Sequence, residues 1–382
     1  MMKRALVVGC GITGSVVARE LAEHGFSVSI LERRNHIGGN MHDRVDEYGF
    51  LVHDYGPHTF HTAKKELYDY ICRFAQWDDF RLTCGAVING KCTPTPFNFQ
   101  TIDDFYSERD AEILKKEIRK DFPQRETATV MEVLNSTNPI VRNYAQFLFD
   151  NDYKLYTAKQ WGISPSEIDP SVLARVPLRF NYKEGYFDDE YQVMPHESYS
   201  SFFSSLLNHK NISIELNVEA LSRITLDGCN LSYNGKPVDF PIVFTGPIDQ
   251  LFNYCFGELP YRSLRFEWHH ENIANMQDMP VVAYPQATDY VRIVEYNKLP
   301  IQKGKGTTYE KEYSVQFVPG QKNEPYYPII TADSKEKYNK YLKLTYSINN
   351  LFICGRLANF KYYNMDQALE SALIVARRII NR

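Results

Sequence analysis

The segment Lys3–Gly14 constrains this chain more than any other. A short apolar run, Ala5-Leu6-Val7-Val8, leads straight into Gly9-Cys10-Gly11-Ile12-Thr13-Gly14, and helical apolar spacing follows from Ser15 to His24. Gly25 ends that helix, and a second apolar run, Phe26–Leu31, stops at Glu32. Strand, Gly-x-Gly-x-x-Gly, helix, second strand and acid in register are the layout of a dinucleotide-binding βαβ unit. Gly9 gives the tight turn, Gly11 lets a pyrophosphate approach the backbone, and Gly14 lets helix and strand pack closely. Thr13 lies in the first helical turn, where free N–H groups and the positive dipole end favour an anion. Glu32 stands where a carboxylate accepts ribose hydroxyls, so an unphosphorylated ribose is expected, as in FAD or NAD. A second glycine turn, Arg33–Asn40, follows the acid, and Arg33, Gly39 and Asn40 are expected to join the cofactor contacts.

A chain of 382 residues with 43% hydrophobic content is long enough for two or three domains with a sizeable core. A net charge of −4 supplies no global basic field for nucleic acid or a membrane surface, so an anionic substrate must be held by local arginines. Seven cysteines without a Cys-x-x-Cys pair read as reduced thiols of a cytoplasmic protein. The basic start, Lys3-Arg4, precedes an apolar run too short for a signal peptide, and no stretch reaches the length of a membrane span.

Further along, Ile102–Tyr106, Ala111–Lys120, Val130–Leu134 and Asn143–Phe149 carry helical spacing, and Trp161–Pro177 reads as a loop. Ile212–Leu216 and Ile242–Thr245 read as strands, and Arg262–Phe317 as antiparallel sheet. The chain closes with a strand, Leu351–Cys354, the turn Gly355-Arg356, and an apolar helix over Gln367–Ile380. A terminal strand-turn-helix after so long an insertion predicts that the chain returns to complete its first domain. The last helix, starting near Met365, then points its N-terminus at the cofactor.

Several segments resemble the UDP-galactopyranose mutase family. They are Glu32–Asn40, Tyr55-Gly56-Pro57-His58-Thr59-Phe60-His61-Thr62, Tyr156-Thr157-Ala158-Lys159-Gln160-Trp161-Gly162, Arg175–Tyr182, Pro325–Pro328, Gly355-Arg356-Leu357 and Tyr362–Asp366. The resemblance implies an α/β fold: a discontinuous Rossmann-like FAD-binding domain (1–77, 200–245 and 335–382), an inserted helical domain with a mobile loop (78–180), and an antiparallel β-sheet substrate domain (181–199 and 246–334). It implies FAD, active when reduced by an external reductant such as NAD(P)H, and a homodimer. The implied reaction interconverts the pyranose and furanose forms of a nucleotide-linked hexose, UDP-galactopyranose to UDP-galactofuranose, for cell-surface polysaccharide. Reduced flavin N5 attacks the anomeric carbon and expels the nucleoside diphosphate, with no net redox change.

By the same resemblance Arg175, on the mobile loop, and Arg292 grip the pyrophosphate, a task suited to planar guanidinium forks. Tyr153, Tyr156, Thr157, Trp161 and Tyr186 line nucleotide and sugar, and Tyr327 and Tyr362 bind the diphosphate. Arg262 is expected near the cleft. His58 and His61 lie beside the flavin; too few further ligands accompany them for a metal site. Arg356 balances the charge of reduced flavin, and Met365 closes the cofactor site. The chain departs from the family pattern at Leu82, Asp152, Ala283 and Asn364, where asparagine, an aromatic residue, asparagine and aspartate are usual. These changes point to dTDP-fucopyranose or UDP-N-acetylgalactosamine as alternative substrates. A FAD-dependent oxidase and a flavin-binding redox sensor are the rival readings.

Overall fold

The computed structural model describes residues 3–162 and 176–382. The opening strand, Lys3–Val8, is the centre of a five-stranded parallel sheet. Its order is Ile212–Glu215, Phe26–Leu31, Lys3–Val8, Ile242–Phe244, Leu351–Ile353. Strand order reverses at Lys3–Val8, and a ligand crevice is expected at the carboxyl end of such a switch point. The helix Ile12–Glu23 packs between the sheet, the helix Tyr199–Leu207 and the closing helix Met365–Ile380. Val16, Val17, Leu21, Phe202, Phe203, Leu369 and Ala372 fuse them into one buried core. The chain therefore does return from far down the sequence to finish its first layer.

A seven-stranded sheet forms the second layer, in the order Tyr327–Pro328, Tyr261–Glu271, Thr307–Gln316, Arg292–Glu295, Val281–Ala283, Cys84–Ile88, Lys91–Thr95. Its pairs are antiparallel except Val281–Ala283 with Cys84–Ile88, which run parallel. The hairpin Cys84–Thr95 thus belongs to this sheet rather than to the helical segment 78–180 in which the sequence reading put it. Its turn is Asn89-Gly90, both with positive φ (50° and 78°). That is the two-residue turn whose twist matches antiparallel strands, so a local signal for the hairpin was present.

Helices Phe99–Phe105, Glu108–Asp121, Val130–Leu134 and Pro139–Leu148 pack on the far strands through Ile88, Phe97, Leu114, Ile118, Val141 and Leu148. Side chains of Asn98, Ser107, Thr129 and Asn138 cap their N-termini, which fixes where each begins. A single π-helical turn, Phe149–Tyr153, leads into Lys154–Trp161, which ends at left-handed Gly162. A three-stranded sheet, Phe60–Thr62, Tyr191–Pro195 and Trp77–Asp79, carries His61 opposite Gln192. No helix among the described residues is long and apolar enough to cross a membrane.

Candidate active site

Two cavities meet on this frame. The first lies over the carboxyl edge of the parallel sheet, walled by Gly9–Gly14, Glu32–Arg34, Gly38–Met41, Val218–Leu221, Thr245–Pro247 and Gly355–Leu357. Its floor fits a dinucleotide diphosphate because backbone approaches backbone there. A Cβ on Gly14 would stand 2.0 Å from the Gly9 carbonyl oxygen, and one on Gly39 would stand 2.8 Å from the Gly11 Cα. The helix Ile12–Glu23 starts at Gly11 with no side-chain cap, so its first N–H groups are left for an outside acceptor.

Glu32 is buried at the end of the second strand. Its Oε2 accepts the Cys10 N–H at 2.7 Å and its Oε1 the Arg34 N–H at 2.9 Å, which locks the two glycine turns together. A carboxylate keeps spare lone pairs beyond two such bonds, so it can still receive ribose hydroxyls. Arg33 pairs with Glu324. Arg34 bonds Asn40 Oδ1 at 2.9 Å and lies over the Tyr55 ring at 4.2 Å. Sequence reasoning missed Arg34, Val218 and Thr245. Arg34 was adjacent to the expected Arg33, whereas Val218 and Thr245 reach the site only because their strands end at this sheet edge.

The second cavity lies between the two layers. Tyr153, Tyr156, Thr157, Trp161, Tyr186, Arg292, Tyr327 and Tyr362, all expected at the substrate, line it, as does His61. His58, Arg356, Asn364 and Met365 line both cavities, so the two open into one another there. The closing helix begins at Met365, with the Gln367 side chain accepting the Asn364 N–H at 2.9 Å.

His58 is held neutral. Burial is the main cause of a pKa lowered to about 4, helped by the charges of Arg356 and Arg292. Its Nδ1 contacts the Gly56 carbonyl at 2.7 Å. A carbonyl only accepts, so Nδ1 carries the hydrogen and Nε2 is left as an acceptor. His61 is clamped differently, with Nδ1 2.5 Å from Asp189 Oδ2 and its ring stacked on Phe187 at 3.6 Å.

Arg292 is the cation of the cavity floor. Its Nε and Nη2 donate to Glu312 Oε2 at 2.8 and 2.7 Å, an ion pair made directly across the sheet, where the two residues are register partners. Burial opposes the guanidinium charge, but the Glu312 carboxylate more than restores it and holds its pKa well above the usual range. Glu310, two residues along the same strand, is pushed well above the carboxylate range by burial and by the Glu312 charge. Tyr296 donates to its Oε1 at 3.0 Å.

Above this floor Tyr327 and Tyr362 stack at 5.2 Å, the Trp161 ring stands 5.7 Å from Tyr362, and the Arg356 guanidinium lies 5.3 Å from both tyrosine rings. Arg356 is fixed by the Tyr363 carbonyl at 2.6 Å. The Tyr153 hydroxyl donates to the Val176 carbonyl at 2.8 Å.

Arg262 is not among the residues of either cavity. Its guanidinium binds the Ser314 carbonyl (2.9 Å), Ser314 Oγ (3.1 Å) and the Gln160 carbonyl (3.2 Å), riveting the end of helix Lys154–Trp161 to the large sheet. The contacts its Nε and Nη2 make are structural ones, to the strand partner and the helix end, in place of the expected position at the substrate. Arg175 lies outside the described residues. Leu82, Asp152, Ala283 and Asn364, where the chain departs from the family pattern, all line the second cavity. Burial pushes the Asp152 carboxyl up to about 7.

The model of the UDP-galactopyranose mutase family matches residues 151–362, and that of an NAD(P)-binding Rossmann-like domain matches residues 7–74. A UDP-galactopyranose mutase of Mycoplasma pneumoniae is 34% identical, over 98% of this chain and 96% of its own. A probable UDP-galactopyranose mutase of Klebsiella pneumoniae is 33% identical over 99% and 95%. A dTDP-fucopyranose mutase of Escherichia coli is 32% identical over 99% of both. The crystal structure of a reduced UDP-galactopyranose mutase shares the fold, with a TM-score of 0.76 at 15% identity over 100% of this chain and 94% of that one. By family model, full-length relatives and fold alike, the chain belongs to the UDP-galactopyranose mutase family of flavin-dependent isomerases.

Proposed function

We propose that the protein interconverts UDP-galactopyranose and UDP-galactofuranose in the cavity floored by Arg292, with FAD held in the cradle beside it. One observation carries the reading: the dinucleotide cradle and the aromatic, arginine-floored cavity open into each other at His58, Arg356, Asn364 and Met365. When bound and reduced, the flavin supplies the nucleophile for the anomeric carbon. The protein's share is electrostatics and placement. Arg292, kept charged by Glu312, stabilises the departing diphosphate, and the phenols of Tyr327 and Tyr362 donate to the same oxygens. Arg175 would be the second guanidinium. Trp161, Tyr156 and Tyr153 give flat walls for base and sugar and exclude water. Arg356 and the N-terminus of helix Met365–Ile380 place positive potential where an electron-rich ring system would sit. Neutral His58 offers only an acceptor at Nε2, and His61 orients the sugar side. NAD(P)H is the proposed reductant.

A second substrate is favoured by Leu82 and Ala283, which present hydrocarbon to the cavity where a polar partner for a sugar hydroxyl would stand. A site lacking that partner does not discriminate against a 6-deoxy hexose, so dTDP-fucopyranose is the competitor to test. Dithionite-reduced protein is incubated anaerobically with UDP-galactose, UDP-N-acetylgalactosamine and dTDP-fucose, and products are separated chromatographically. The expected result is a furanose product with no reductant consumed per turnover. Stoichiometric consumption of reductant would make the protein an oxidoreductase, and flavin binding without any furanose would make it a sensor.

A further inference from the structure

A third cavity lies behind the substrate site. Arg81 and Thr83 line it while Leu82 between them lines the substrate cavity, and Pro280 lines it while Val281 faces the substrate side. The two cavities are therefore back to back across one layer of chain. The rear cavity is basic: Arg81, Lys298, Lys303 and Lys305 line it, and no carboxylate among the described residues does. Lys298 is already engaged by Glu295 at 3.2 Å. Arg81, Lys303 and Lys305 have no ion-pair partner among the described residues, so about three positive charges converge in a protein whose net charge is −4.

The rim is apolar. Ile301 is 85% exposed and Ile273 42% exposed, and both border the cavity. Asn297 Nδ2 donates to the Ala274 carbonyl at 2.9 Å, which ties the loop bearing Ile301 to the turn bearing Ile273. An exposed isoleucine beside two lysines, on a segment braced by a hydrogen bond, sets hydrocarbon and cations along one edge. It suits the boundary between lipid headgroups and acyl chains, where hydrocarbon and cations are both accommodated.

We infer that this face docks on an anionic phospholipid surface, with a headgroup phosphate in the cavity of Arg81, Lys303 and Lys305 and Ile301 dipping into the acyl boundary. The side-chain amides of Asn272 and Asn275, which also line the cavity, supply neutral donors to phosphate or glycerol oxygens. A nucleic acid is the less suitable partner, because aromatic platforms for bases are lacking: Phe80, half-buried, is the one aromatic ring among the lining residues described. The inference does not depend on which sugar nucleotide is turned over.

The test is sedimentation of the full-length flavin-loaded protein with vesicles of phosphatidylcholine alone or with about one-third phosphatidylglycerol. Binding to the anionic vesicles, released by raised salt, is expected. Basic residues near such a surface contribute about 1 kcal/mol each, so Lys303→Gln with Lys305→Gln should weaken partitioning about thirty-fold. Ile301→Asn should weaken it about ten-fold at any salt concentration. Turnover of soluble nucleotide sugar and flavin content should be unchanged in both variants. Equal binding to neutral and anionic vesicles, no binding to either, or variants that bind like the parent would overturn the inference. Calorimetric binding of inorganic phosphate without vesicle binding would assign the cavity to a soluble anion instead. The salt dependence of the parent protein decides the matter even if a variant folds poorly.

Discussion

The ion pair under the substrate cavity makes the sharpest prediction. The Glu312 side chain is 0% exposed and that of Arg292 21% exposed, so the carboxylate is the deeper partner. Arg292→Met removes the cation and leaves the carboxylate buried, with Glu310 a short step along the same strand. Breaking a buried pair from one side costs about 3–5 kcal/mol, since the remaining charge loses its compensation. The double variant, Arg292→Met with Glu312→Leu, removes both charges and should recover most of the stability. It should not recover activity. The charge-assisted bonds to a departing diphosphate contribute about 1.5–3 kcal/mol, so kcat/KM should fall roughly ten- to hundred-fold or more in both variants. Urea unfolding and turnover, measured on flavin-loaded protein, separate the two effects. Wild-type stability in Arg292→Met would show that the carboxylate is not effectively desolvated. Restored turnover in the double variant would remove Arg292 from the chemistry.

Three further outcomes follow from the geometry. Gly14→Ala places a Cβ 2.0 Å from the Gly9 carbonyl oxygen, so the purified protein should carry little or no flavin, read from its visible absorbance. His53 and His58 are buried and neutral, with pKa values lowered mainly by burial to about 3 and about 4. An unfolded histidine binds its proton below about 6.5, so the stability tied to both is full above that pH and is lost as pH falls toward about 4. Unfolding midpoints across that window should drop, and His53→Phe should flatten the slope. Ala283→Asn should raise kcat/KM for UDP-galactose relative to dTDP-fucose by about ten-fold, a ratio that competition assays measure directly; an unchanged ratio would dissociate Ala283 from sugar choice.

The cofactor cradle was legible because its signals are local. Apolar runs of strand length, glycines at fixed offsets and a terminal acid all fall within Lys3–Glu32, and the closing strand and helix repeat the pattern at Leu351–Ile353 and Met365–Ile380. The floor of the substrate cavity was legible only in part. Thr307–Gln316 alternates in a way that would send its glutamates to solvent, yet both Glu310 and Glu312 are fully buried. Their burial depends on Arg292 and Tyr296, which arrive from another strand by register that no local pattern encodes. Arg262 shows the converse. Its motif suggested ligand contact, but pairing of Tyr261–Glu271 with Thr307–Gln316 puts Ser314 and the end of a helix within reach of its donors. Asn89-Gly90 was a readable hairpin signal, and what it could not reveal is which sheet the hairpin joins.

The cradle draws on stretches of chain near residues 9–14, 32–41, 218–221, 245–247 and 355–368. A ribosome delivers these in order, so more than three hundred residues separate the first glycine turn from the last wall. A dinucleotide meets a complete cradle only once residues 355–368 have emerged, and the early glycine turns wait through some three hundred residues before then.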